Sequence, residues 1–280
     1  MKYAKISVFI PNVENIPFFL GSQLRGAFGY GLKKVVCINP SFKCEGCFAK
    51  NNCIYYDFYE DKNKFHKYRF DFELAPKKYK YNLYLFNEAT KELPYIISAI
   101  HQTITKFGFG KDRKKYDFFT IKVNDKIAYD GEEFDIPKDY VKEFINTDYS
   151  KNVTIEIKTP LRMKRDGVFI KNDIKLVDII NSIYQRERAL NGLEEHIQLP
   201  FKPQGNIITT LKLQKLTRYS NRQQTKMQID GMIGKIEVNG IDERSYRYLK
   251  LGEIIGVGKL TTFGLGKIEI IDRIWWINKI

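Results

Sequence analysis

The 280-residue chain has few of the residues that most often do chemistry near neutral pH. Its histidines are His66, His101 and His196, which leaves proton transfer few imidazoles to use. No apolar run is long enough to span a bilayer, and Met1-Lys2-Tyr3-Ala4-Lys5 leads straight into a strand pattern rather than a targeting segment. The expectation is a cytoplasmic protein with no membrane role. Cysteine is confined to residues 37–53, four in all, and in a reducing compartment such a set is not a disulfide scaffold. Two Trp stand against 18 Tyr and 20 Phe, so any base-stacking surface would have to come from Tyr and Phe that the core does not take. The charge, by contrast, is lopsided: +14 overall, with 23 Lys/Arg to 17 Asp/Glu in residues 1–140 and 24 to 16 in residues 141–280. A basic excess spread over both halves fits a long polyanion lying along the chain's surface, and the length suits two domains.

One stretch organises the rest. Gly256-Val257-Gly258-Lys259-Leu260-Thr261-Thr262-Phe263-Gly264-Leu265-Gly266 places four glycines in eleven residues, directly before the apolar/charged alternation of Lys267 to Ile271. Lys259, Thr261 and Thr262 offer donors suited to phosphate oxygens. A dinucleotide-binding fingerprint would follow a strand and open a helix; here a helix-like stretch precedes the loop and a strand leaves it, so a nucleotide cofactor is disfavoured.

The patterns along the chain repeat. Lys2 to Ile10 reads as a strand, and residues 17–36 as a helix with Leu20, Leu24, Phe28, Leu32 and Val35 on one stripe. The glycines Gly26, Gly29 and Gly31 weaken that helix and imply close packing by a strand or RNA. Strands at Tyr68 to Leu74 and Tyr79 to Phe86 follow, then an amphipathic helix from Leu93 to Phe107, the turn Gly108-Phe109-Gly110, and a strand from Tyr116 to Val123. After a polar linker over residues 124–150 the order recurs. Val153 to Lys158 is a strand, and Asp173 to Leu190 a helix capped by Asp173, with Ile174, Val177, Ile180 and Tyr184 inward. Lys212 to Tyr219 and Met227 to Val238 are strands, Asp242 to Ile254 a helix, and Lys267 to Trp276 the last strand. The predicted fold is α+β, two tandem ferredoxin-like (RRM-like, βαββαβ) domains over 1–145 and 146–280.

Cys37-x6-Cys44-x2-Cys47-x5-Cys53 sits in an insertion at 37–53 of the first domain. Two cysteines two residues apart form the usual metal knuckle, and four thiolates can close a tetrahedral site. A structural zinc that staples the insertion is the expectation, with an iron–sulfur cluster and free buried thiols as alternatives.

Four motifs in order carry a family resemblance: Leu24-Arg25-Gly26-Ala27-Phe28 ahead of the cysteines, Gly108-Phe109-Gly110-Lys111-Asp112-Arg113, Arg218-Tyr219-Ser220-Asn221-Arg222-Gln223-Gln224 followed by Gly231-Met232-Ile233-Gly234, and the Gly-rich loop before the last strand. Together they resemble the repeat-associated mysterious proteins, the CRISPR RNA-binding superfamily, and within it the precursor-RNA processing endoribonucleases. The resemblance implies a nuclease that cuts CRISPR repeat RNA by 2′-hydroxyl attack, leaving a 2′,3′-cyclic phosphate, and that needs no metal for cleavage. It also leaves open a non-cleaving RNA-binding subunit of a CRISPR effector complex. A tandem RRM protein is a third reading, but no RNP aromatic pattern is recognisable in Lys2 to Ile10 or Lys215 to Met227.

Many members of that family place a catalytic histidine on or just after the first helix, yet residues 18–56 contain none. The candidate catalytic residues are therefore His66, which follows the insertion, with Tyr30 and Lys34 as helpers. Tyr30, Lys33 and Lys34 would share one helical face. His101 reads as a surface histidine near the polar side of its helix, and His196 lies in the acidic Glu194-Glu195-His196. RNA binding is assigned to Arg162, Lys164, Arg165, Arg218, Arg222 and Gln223 with Gly256, Gly258, Lys259, Gly264 and Gly266 of the loop.

Overall fold

The computed structural model describes residues 1–61, 65–110, 112–171, 173–193, 195–220 and 224–273. The chain divides into two compact units, Met1–Phe144 with Leu190–Gly192, and Ile145–Ala189 with Leu193–Ile280. Trp276, expected to close the last strand, lies outside the described residues.

In unit 1 the first strand, β1 (Lys2–Ile10), alternates as its sequence does, with Ala4, Ile6, Val8 and Ile10 buried. Helix α1 (Gly21–Val36) follows, and its Leu24, Phe28 and Leu32, one turn apart, are all buried. Burial of each such side chain stabilises by about 1.5–3 kcal/mol. Strands β2 (Tyr68–Asp71) and β3 (Tyr79–Phe86) precede α2 (Leu93–Gln102), which has Pro94 in its first turn, where a missing N–H costs nothing. Strands β4 (Thr120–Val123) and β5 (Lys126–Tyr129) form a hairpin, and β6 (Lys142–Glu143) pairs with β1. The sheet runs β2-β3-β1-β4-β5, entirely antiparallel along that path. Its first four strands have the ferredoxin-like order; β5 is an addition, and the segment read as a linker contributes both β5 and β6.

Two further details correct the sequence reading of unit 1. The helix expected over Leu93 to Phe107 stops at Gln102 and continues as a single π-turn, Thr103–Phe107. A second π-turn, Tyr56–Glu60, lies after the cysteines. Gly29 and Gly31 of α1 accommodate these turns, whereas nothing lies within 4 Å of a Cβ at Gly26. A Cβ built at Gly29 would meet the Tyr59 ring at 2.6 Å, and one at Gly31 the Thr103 hydroxyl at 2.0 Å.

The expected metal knuckle is not assembled either. Among the described residues no three His, Cys, Asp or Glu side chains are gathered to hold an ion. The four thiols are distributed along successive turns. Cys37 ends α1 with its Sγ 3.7 Å from the Asn39 carbonyl, and the Cys47 amide closes a turn on the Cys44 carbonyl at 3.4 Å. The Cys53 carbonyl receives the Asp57 amide at the start of the π-turn. All four are half-buried free cysteines, and no zinc or iron–sulfur site is derived from them.

Unit 2 repeats the order. Strand β7 (Asn152–Leu161) is followed by the two-residue strands β8 (Lys164–Arg165) and β9 (Val168–Phe169), then α3 (Leu176–Leu190). Strands β10 (Asn206–Gln214), β11 (Thr217–Ser220), β12 (Thr225–Gln228) and β13 (Gly231–Asn239) lead to α4 (Glu243–Ile255) and β14 (Ile268–Asp272). The main sheet is ordered β10-β13-β7-β14, again the ferredoxin-like arrangement, and β11-β12 is a separate hairpin. Asp242 caps α4 by accepting from the Ser245 amide at 2.9 Å. Asp173 is not the cap of α3. Its φ is 48°, the helix begins at Leu176, and Val177, expected inward, is 43 % exposed.

A basic cluster around a buried glycine loop, and a separate cationic flank

The stretch from Gly256 to Gly266 lies mostly inside unit 2. Gly256, Val257, Thr261, Phe263, Gly264, Leu265 and Gly266 are buried, and of the eleven residues only Lys259 is exposed. Its amides are bonded to the rest of the unit. Gly258 donates to Ser182 Oγ at 2.9 Å, Lys259 to the Arg162 carbonyl at 2.8 Å, and Gly266 to the Pro160 carbonyl at 3.1 Å. The Thr159 hydroxyl accepts from the Lys267 amide at 2.9 Å and donates to the Gly264 carbonyl at 2.8 Å. Glycine is required because the loop's own neighbours are close. With φ of 78°, a Cβ at Gly258 would lie 2.5 Å from the Arg162 carbonyl oxygen. With φ of 72°, one at Gly266 would lie 1.8 Å from that of Val257. The expectation that Gly256, Gly258, Gly264 and Gly266 admit an RNA backbone is therefore revised: what packs against Gly258 and Gly266 is protein, and Gly256 and Gly264 are buried with their amides on the Gly252 and Thr261 carbonyls.

What the loop does present is a platform for cations. Lys259 stands exposed at its rim. Arg162 binds the Asp230 carbonyl at 2.8 Å and lays its guanidinium 3.7 Å from the centre of the Phe169 ring. Lys164, exposed, stands 4.8 Å from the same ring. Arg218, on the β11-β12 hairpin, rests 4.5 Å over Phe263 of the loop and meets Met227 Sδ at 3.1 Å. Arg162, Lys164, Arg218 and Lys259 thus converge on one edge of the unit. Guanidinium planes stacked on rings match phosphate oxygens and base faces.

Arg165 does not join them. Its guanidinium is held by both carboxylate oxygens of Asp178, and by Asp173 through side chain and carbonyl at 3.1 and 2.7 Å. These bonds hold it charged well above the ordinary arginine range, and they make it a structural cation. Arg222 and Gln223 lie outside the described residues. The sequence pattern did not reveal the carboxylate pair around Arg165, although both acids lie within thirteen residues of it.

In unit 1 the expected catalytic group is split across α1. Tyr30, 43 % exposed, meets Phe107 edge-on at 5.2 Å; Lys34 Nζ lies 5.8 Å from its ring centre and 4.4 Å from that of Phe42. Lys33 turns the other way, 4.8 Å over Tyr55, on the flank where Arg25 covers Tyr59 at 4.6 Å. That second flank is also where His66 is found. It is half-buried, 5.9 Å from Tyr68 between ring centres, with Nδ1 3.4 Å from the Asp57 carbonyl. Tyr68 is buried and Tyr59 half-buried beside it, and removal from solvent raises both phenols above the ordinary value. The structure therefore brings Tyr30 and Lys34 together, and places Lys33 and His66 elsewhere. Arg113 was missed as a site residue: its guanidinium is 5.0 Å from the Tyr30 ring centre. Its place in Gly108-Phe109-Gly110-Lys111-Asp112-Arg113 was the available signal. His101 is not a bare surface histidine but packs on Phe119, Tyr129 and Phe134, and burial lowers its pKa, with Lys106 adding to the effect.

Comparisons with known proteins agree with this division. Residues 155–268 match the family of the CRISPR-associated endoribonuclease Cas6, and residues 12–138 match a family described as an N-terminal domain, AF_1859_N. An uncharacterized protein of Archaeoglobus fulgidus is 24 % identical over 302 residues, covering 95 % of this chain and 96 % of its own. Among solved structures, the product complex of Cas6 (TTHB231), a Thermus thermophilus protein, superposes with a TM-score of 0.56 at 14 % identity, over 97 % of this chain and 99 % of that one. The product complex of Cas6 (TTHA0078) gives 0.54 at 16 % identity, over 96 % and 99 %. At these identities the superpositions establish a shared fold. No described helix is long and apolar enough to cross a membrane. The Cas6 family match thus covers the two motifs that lie within residues 155–268, and the shared fold extends over nearly the whole chain.

Proposed function

Taking the chain as a Cas6-like CRISPR RNA processing protein, we propose that it cuts the repeat in a precursor transcript and releases guide RNAs. A ribose 2′-hydroxyl loses its proton to a base, its oxygen bonds to the adjacent phosphorus, and the bond to the 5′-oxygen breaks as that oxygen is protonated. The products are a 2′,3′-cyclic phosphate and a 5′-hydroxyl. No step calls for a metal ion. The observation that carries the reading is the Cas6 family match in the same unit as the cationic edge of Arg162, Lys164, Arg218 and Lys259, of which the two lysines are exposed. That edge grips phosphates, and the exposed Tyr30 and Lys34 in unit 1 supply the phenol and ammonium for the chemistry. His66 is the alternative proton carrier, held apart from them by its position on the opposite flank of α1.

The test is incubation of the protein with end-labelled CRISPR repeat RNAs in EDTA, with product ends identified chemically. One cut bearing a cyclic phosphate, abolished by a single 2′-deoxy substitution at that nucleotide, is expected. A repeat that is bound and stays intact would instead favour the non-cleaving RNA-binding subunit, a reading supported by the ring contacts of Tyr30 and Lys34, which among the described residues include no histidine.

A further inference from the structure

The flank of α1 that carries Tyr30 holds two cations that have no counter-ion among the described residues. Lys34 and Arg113 both lie against the exposed Tyr30 ring, at 5.8 and 5.0 Å from its centre. Both are exposed, and among the described residues neither forms an ion pair, Asp112 beside Arg113 included. Like charges held at one aromatic ring repel each other unless an anion joins them.

Arg113 is not there because its loop is slack. It takes a left-handed backbone, φ 49°, which is unfavourable for a side chain of this size. The loop is closed by a two-way pairing of Phe109 with Lys114, at 2.8 and 3.0 Å. Gly108, φ 73°, receives the Arg113 backbone so closely that a Cβ there would meet the Arg113 carbonyl oxygen at 2.1 Å. Phe109, 4 % exposed, anchors the turn in the core. A strained position held by surrounding structure that presents an exposed arginine to an exposed tyrosine is the kind of arrangement that functional sites retain.

We propose that Arg113 and Lys34 together hold the scissile phosphate of the RNA beside the Tyr30 hydroxyl, Arg113 stabilising the charge that builds on the non-bridging oxygens as the 2′-oxygen attacks. This assignment rests on the nuclease reading for its chemistry, and on the unpaired cations for its phosphate. Arginine suits the task because its planar fork engages two phosphate oxygens at once, which lysine cannot do.

The test compares wild type, Arg113→Ala, Arg113→Lys and Lys34→Ala in single-turnover cleavage at saturating RNA. Affinity for the same RNA blocked by a 2′-deoxy nucleotide at the cut is measured in parallel, with melting temperature as the folding control. Arg113→Ala is expected to lower the cleavage rate by about 10²-fold, the scale of losing one charge-stabilising donor. Arg113→Lys should recover part of that loss, and binding of the blocked RNA should change far less than the rate. An Arg113→Ala protein that melts like wild type and cleaves within twofold of it overturns the proposal. If wild type binds the repeat without cutting, the nuclease reading fails, and affinity alone then decides the cation pair. Loss of about 0.7 from the salt slope of binding in Arg113→Ala and in Lys34→Ala keeps it as a phosphate site, and unchanged slopes remove it.

Discussion

Each unit carries a glycine turn at the same point of the fold, after its second helix and before the strand that completes the four-strand order, and the two turns are used in opposite ways. In unit 1 the turn is short. Gly108 and Phe109 are buried, Gly110 is exposed, and the chain swings out to present Arg113. In unit 2 the turn has grown into the loop from Gly256 to Gly266, which folds inward and bonds to Pro160, Arg162 and Ser182. There the half-buried Arg162 and Arg218 come from neighbouring segments: Arg218 rests on Phe263 of the loop, and the Arg162 carbonyl receives the Lys259 amide. One architecture therefore yields a projecting arginine in one copy and a supporting platform in the other. The number of glycines says nothing of which will occur; the hydrogen-bond partners decide it.

The sharpest break of that comparison is a pair of alanine substitutions. Gly266→Ala puts a Cβ 1.8 Å from a backbone oxygen at positive φ, and it should destabilise unit 2 by about 2–5 kcal/mol. Gly110→Ala meets only the end of the Gln23 side chain, at 3.0 Å, whose amide oxygen accepts from Tyr79 at 2.8 Å, and should cost about 1–2 kcal/mol, chiefly the left-handed penalty. Denaturant unfolding of the two variants measures the difference; a Gly110→Ala loss equal to that of Gly266→Ala would erase the distinction between the turns.

A smaller effect separates the cations of unit 2. Lys164→Ala with Lys259→Ala should weaken binding of single-stranded RNA and flatten its salt dependence by about 1.4, two contacts at about 0.7 each. Arg165→Ala should leave that slope alone and lower the melting temperature, because Asp173 and Asp178 lose their shared partner. Titrations at several salt concentrations separate the two outcomes, and a changed slope in Arg165→Ala would return that residue to the interface.

The smallest effect concerns His101, whose pKa burial lowers. The native state then holds fewer protons than the unfolded chain below the ordinary histidine range. The contribution of His101 to stability is accordingly present above about pH 6.5 and fades as the pH falls. Melting temperatures from pH 7 to pH 5 should fall less steeply in His101→Phe, which keeps an aromatic ring among Phe119, Tyr129 and Phe134. Equal slopes in the two proteins would show that the ring does not titrate in this window.

These contrasts also mark how far the sequence could be read. Strands with one buried face, such as β1 and β3, were legible to the residue because alternation is a local signal. Strand β10 was not. Its Ile208, Thr209, Thr210 and Lys212 are exposed, so residues 206–211 show no pattern of burial, and the strand was read as starting at Lys212 and running into β11. The start of α3 was misplaced because Asp173 was taken for a cap when its side chain belongs to Arg165. At the site, the motifs pointed to the family whose model matches residues 155–268, and helical spacing placed Tyr30 with Lys34. The partners that determine what each residue can do came from far along the chain: Arg113 for Tyr30, Ser182 for Gly258, Phe263 for Arg218. Such long-range contacts leave no trace in local periodicity.

Strand β10 carries one more consequence. Among the described residues it pairs with β13 alone, so its outer edge offers a row of backbone donors and acceptors, with Ile208 and Leu213 exposed alongside. An open edge of this kind invites a second copy to add its own strand, the first step toward aggregation. What opposes that step is charge: Lys212 on the strand, Lys215 and Lys226 nearby, and the +14 of the whole chain. At about 1 M salt the reach of that repulsion shrinks to about 3 Å. High ionic strength is therefore the condition under which the molecules are least able to keep each other away.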